Sequence, residues 1–183
     1  AAWLGKGSNP FETSKSADDT RFEVPNLTLL SGLDQDRLTD RRQLLSGFDA
    51  SRRIVDNHGA ADATDDFTRQ AFEMVTGDSA RSAFAIDEES DATRDRYGRN
   101  SIGQNVLLAK RLVERGVTFV TVRVNTLGSW DDHGGIAARM KAKGPGFDQA
   151  VAALVGDLYD SGLDRKVMVV AMGEFGRTPR INR

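Results

Sequence analysis

A chain of 183 residues with 39% hydrophobic and 7% aromatic content can form one domain with a modest core. Its 25 basic and 27 acidic residues are mixed throughout and leave a formal charge of -2, which excludes the broad cationic field that nucleic acid or anionic lipid requires. Zero cysteines exclude disulfides, thiolate metal sites and cysteine nucleophiles, so any metal must be held by Asp, Glu, His or neutral oxygen donors. No apolar run approaches the roughly 20 residues of a membrane span. The opening Ala1-Ala2-Trp3-Leu4-Gly5-Lys6 has neither an initiator Met nor the charged and apolar regions of a signal peptide, so the sequence is expected to be a piece of a longer one.

Residues 1–33 are rich in Gly, Ser, Asn, Pro and Asp, with Pro10 and Pro25 opposing regular structure, and read as an extended arm or loop. Residues 34–116 read as mainly helical. Within 36–55, Leu38, Leu44, Leu45, Phe48 and Val55 recur near helical spacing, and within 63–76 Phe67, Ala71, Met74 and Val75 form one face that ends at Gly77. A polar, acidic stretch around 87–95 follows. Over 101–115, Ile102, Val106, Ala109, Leu112 and Val113 share one face, and Gly116 supplies the C-terminal cap.

Residues 117–183 read as one strand–helix–strand unit. The β-branched run 117–124 has the composition of a strand. Residues 147–161 place Phe147, Val151, Leu154, Val155 and Leu158 at helical steps before Gly162, and the continuous apolar run 167–172 has the pattern of a strand buried on both faces. The expected class is therefore α/β, with a parallel βαβ core and additional helices, in an incomplete domain.

Two polar clusters follow the expected strands, at the edge where open parallel sheets bind ligands. The first is Trp130-Asp131-Asp132-His133-Gly134, and the second is Gly173-Glu174-Phe175-Gly176-Arg177. A carboxylate and an imidazole two residues apart can reach one cation, and a Glu from the neighbouring strand end supplies a third donor. That set points to zinc, magnesium, manganese or calcium. A plainer reading stands beside it: Asp131 or Asp132 caps the following helix, His133 is a solvated loop residue, and Glu174 pairs with Arg177. His58, beside Asn57 and Gly59, reads as a capping or solvated residue. The chain has no GxxxxGK[ST] phosphate loop, no GxGxxG turn, no GxSxG elbow and no HExxH pair, and no nucleophile is evident.

Several motifs carry a resemblance. Pro25-Asn26-Leu27-Thr28-Leu29, Tyr97-Gly98-Arg99 with Gly103-Gln104, the run from Leu107 to Val117, Ser129-Trp130-Asp131-Asp132-His133-Gly134, and Val169 to Pro179 through Gly173-Glu174-Phe175-Gly176-Arg177 together resemble the family catalogued as domain of unknown function 1501. Asp132 stands where that family usually carries Thr. The family is similar to the alkaline phosphatase and sulfatase superfamily. The resemblance implies an alkaline-phosphatase-like sheet, Asp131, His133 and Glu174 as metal ligands, and Arg177 as a contact for an anionic oxygen. It also implies an exported parent protein, with an early Asp-containing loop and a later His motif that this sequence lacks. The expected function is metal-dependent hydrolysis of a small phosphate or sulfate ester. The alternative, favoured by the missing nucleophile, is a non-catalytic binding or scaffold module of the same fold.

Overall fold

The computed structural model describes residues 10–24, 27, 34, 36–41, 43–44, 78–124, 130–173 and 176. The chain divides into two compact units, one of residues 1–15 and 23–82, the other of residues 16–22 and 83–183. In the first unit, Val24 and Leu27 are buried and residues 36–41 and 43–44 are helical. The Asp34 carboxylate accepts from the Arg37 backbone N–H at 2.7 Å, which satisfies one of the donors that a helix start leaves open. The helix expected over 36–55 therefore begins as its spacing implies, and its later residues, the helix expected over 63–76 and His58 lie outside the described residues.

Helix α1 (Asp78–Phe84) delivers Ala83 and Phe84 to the second unit, and a single 3-10 turn (Ile86–Glu88) follows it. The core of this unit is built from α2 (Asp91–Tyr97), α3 (Ser101–Glu114) and α4 (Ile136–Asp160). Ser90 caps α2 by accepting from Thr93 N–H at 3.1 Å, and Asn100 caps α3 by accepting from Gly103 N–H at 3.0 Å. The turn between these two helices is clamped from within. Fully buried Gln104 donates to the Arg94 and Gly98 carbonyls at 3.0 and 2.9 Å, and accepts from Arg94 Nε at 2.7 Å. Every polar atom of that side chain is thus partnered, as burial demands.

Of the face expected for α3, Ile102 and Val106 are buried while Ala109, Leu112 and Val113 are only half-buried, and the buried side is completed by Leu107 and Leu108, packed with Tyr97, Ala150 and Ala153. The segment 16–22 lies on the same core: Ala17 is fully buried, and its N–H donates to Asn105 Oδ1 at 2.9 Å. Gly116 closes α3 at φ +91, in the left-handed region open to glycine.

Helix α4 starts eleven residues before the expected Phe147 and runs through Pro145. Residues 136–143 (Ile-Ala-Ala-Arg-Met-Lys-Ala-Lys) are mostly strong helix formers, and they carry the helix up to a proline that interrupts only one backbone hydrogen bond.

The expected α/β class, with its parallel βαβ core of an alkaline-phosphatase-like sheet, is corrected. The described residues contain helices and no strand. Residues 117–124 and 167–173 are non-helical but join no ladder. A strand buried in a parallel sheet needs neighbours along its edges and a layer over each face. Here α3 and α4 bury their stripes against each other and α2, while Phe119, Met168 and Met172 stay 84%, 86% and 84% exposed. Only Val122 and Val124 of the first segment pack on the core. No helix among the described residues is long and apolar enough to cross a membrane.

Candidate functional site

The loop that precedes α4 carries the first polar cluster, and its aromatic residue ties it to that helix. Trp130 is half-buried and meets Phe147 edge to face, with ring centroids 5.8 Å apart and planes inclined by 67°. The Lys143 ammonium lies 5.7 Å from the centre of the Trp130 ring, within cation–π range.

Asp132 points into the same place. Its side chain is 1% exposed, and its two oxygens accept from Lys143 Nζ at 3.0 and 3.1 Å. Arg139 adds a third bond at 3.1 Å. The hydrogen bond from Lys143, reinforced by the charges of Lys143 and Arg139, holds the Asp132 carboxyl below the usual carboxylate range against the opposing pull of burial. Lys143 is itself buried, so the attraction between the two charges offsets the desolvation penalty that each carries.

The neighbours of Asp132 behave in the opposite way. Asp131 and His133 have side chains 48% and 86% exposed, and His133 Nε2 lies 3.0 Å from Asp131 Oδ2. The expected ligands Asp131 and His133 are therefore together, on the solvent face of the loop. Neither Asp131 nor Asp132 caps α4, whose N-cap is Gly135 at φ +62. Glu174 and Arg177 lie outside the described residues, and among those described no group of three carboxylate or imidazole side chains is assembled around one point.

The pair fits a divalent cation in donor chemistry and in spacing. One carboxylate oxygen and one imidazole nitrogen are donors that zinc and manganese accept, and neighbouring ligands bound at ~2.1 Å lie ~3.0 Å apart around an octahedral ion and ~3.4 Å apart around a tetrahedral one. Neither group would have to be dug out of the interior to bind.

The sequence held a signal for the partners of Asp132 on α4. Arg139, Lys143 and Phe147 recur every four residues, which places two cations and an aromatic ring on one face of a helix. A second polar cluster was missed. Asp157 lies within the apolar stripe of α4, where Tyr97 donates to it at 2.8 Å, Arg96 pairs with it and Lys110 lies 3.6 Å away. These groups satisfy one another and lock α2 and α3 to α4.

A family model described as Protein of unknown function (DUF1501) matches residues 1–183, and the chain belongs to that family. No curated protein and no solved structure matches it.

Proposed function

We propose, from its place in this family, that the chain carries part of the metal site of a hydrolase acting on phosphate or sulfate esters. Asp131 and His133 are two of its ligands, Glu174 is a third, and Arg177 contacts the ester anion. The observation that supports this most is the exposed Asp131 carboxylate held 3.0 Å from the His133 imidazole. The reading takes its chemistry, and not a sheet, from the likeness to alkaline phosphatases and sulfatases.

A bound divalent ion would polarise an ester oxygen and stabilise the charge that develops there. Residues of the chain would do the rest. Asp131 supplies negative charge for a dication, and His133 binds through the lone pair of a neutral ring nitrogen, which requires that nitrogen to give up its proton. Arg177 offers a planar fork to the two oxygens that a phosphate or sulfate group presents.

Elemental analysis of the purified chain after loading with zinc, manganese or magnesium tests this, with His133→Ala and Glu174→Gln beside it. Stoichiometric metal that both variants lose, with metal-dependent hydrolysis of p-nitrophenyl phosphate or sulfate, is the expected result. Metal retained in both variants, or absent from the wild type at millimolar ion, would sink the proposal in favour of the non-catalytic module.

A further inference from the structure

Asp131, Asp132 and His133 alternate in exposure, with side chains 48%, 1% and 86% exposed. The middle residue is drawn inward while both of its neighbours face solvent, where their side chains meet. The inward residue here is held by three charge-assisted bonds, two from buried Lys143 and one from Arg139. Its hold is directional. An apolar residue at 132 would fill the space equally well, whereas a carboxylate clamped between two cations fixes the rotation of the loop as well as its depth.

The helix face carries the partners of this loop. Arg139, Lys143 and Phe147 lie one turn apart along α4, and they meet Asp132, then both Asp132 and Trp130, then Trp130. The loop is therefore gripped at both 130 and 132, on either side of Asp131, and His133 follows directly.

We infer that Asp132 and Lys143 are positioning residues, whose buried ion pair sets the 3.0 Å approach of Asp131 to His133 from behind. The inference rests on the reading of Asp131 and His133 as the functional pair, but its mechanical content does not require metal.

The test uses the full chain labelled with 15N in histidine. Two histidines give two sets of ring signals, assigned through His58→Gln. Asp131→Asn defines the ring-nitrogen shifts of a His133 that has lost its carboxylate partner. Lys143→Met should move the His133 signals to those values while the His58 signals stay in place. The double variant Asp132→Leu/Lys143→Met removes both charges together, so it stays folded where the single variant leaves a buried carboxylate short of its partner. It should give the same His133 shifts.

Zinc affinity, measured by competition with a chromogenic chelator, should fall ~10–100-fold in the double variant, the effect typical of losing groups that orient metal ligands. Folded variants with wild-type His133 signals would overturn the inference. So would unfolding of both variants, since the ion pair would then hold the fold and not the loop, or an unchanged His133 signal in Asp131→Asn. Absence of zinc binding in the wild type would count against the proposed function alone, because the ring signals decide the positioning role without metal.

Discussion

Removal of one oxygen atom tests how the helices beneath the loop are held together. Tyr97 is fully buried, and its hydroxyl donates to Asp157 at 2.8 Å, so Tyr97→Phe keeps the ring packing and deletes only that bond. A hydrogen bond to a charged acceptor contributes about 1.5–3 kcal/mol. Arg96 and Lys110 remain beside Asp157 after the change, which places the loss near the lower end, at about 1.5–2 kcal/mol. At about 2–4 °C per kcal/mol for a chain of this length, Tm should fall by about 3–8 °C.

Urea unfolding followed by circular dichroism at pH 7 measures the loss, and a pH series adds a second, independent arm. Burial, together with the Asp157 carboxylate, raises the Tyr97 hydroxyl above the ordinary tyrosine range. An unfolded tyrosine ionises near pH 10 while the folded one does not, so the wild type loses stability as pH rises past about 10. Tyr97→Phe has no such loss, and the gap between the two proteins should narrow by pH 11. A variant within about 0.5 kcal/mol of wild type at pH 7, or a gap that stays constant with pH, would refute the reasoning.

Other changes should separate core, turn and loop. Leu107→Ala opens a cavity at a fully buried position and should cost about 2–5 kcal/mol by the same urea assay. A side chain at Gly103 would run into the carbonyl oxygens of Tyr97 and Gly98, so Gly103→Ala should destabilise by about 3 kcal/mol or more, or leave the chain unfolded in the far-ultraviolet spectrum. Lys143 and Arg139 depress the Asp132 carboxyl, so its share of stability is full above the ordinary carboxylate range and is lost as pH falls through the lower folded value. Asp132→Asn should therefore show a shallower loss of stability below about pH 4 in an acid titration. His133→Ala, at a position 86% exposed, should leave Tm within about 1–2 °C of wild type.

The parts of this fold that were legible in the sequence are those whose stability is local. Helix α3 has its cap, its stripe and its terminal glycine within one short stretch, and it forms where the spacing places it. Helix α2 was hidden in a polar, acidic stretch, because it buries only Tyr97 and carries otherwise polar or charged groups at its ends. The start of α4 was masked by Gly144-Pro145-Gly146, whose turn-like composition outweighed the alanines and lysines before it. The runs 117–124 and 167–172 were misread for the converse reason. β-Branched and apolar composition records what a segment prefers when a sheet is available, and pairing depends on neighbours that a local pattern does not contain.

The two adjacent aspartates show the same limit within the site. In sequence, Asp131 and Asp132 are equivalent donors beside one histidine, and a cation would draw on both. In the folded chain the Asp132 charge is neutralised inside the protein by Lys143, with Arg139 at its edge, and only Asp131 faces the imidazole. The difference in burial between them comes from a lysine eleven positions away, on a helix whose start the local pattern concealed. The loop therefore offers a dication one exposed carboxylate and not two, so a dication bound there needs a further carboxylate to approach neutrality. Glu174, the next carboxylate in the motifs that follow, is the residue through which the proposed site stands or falls.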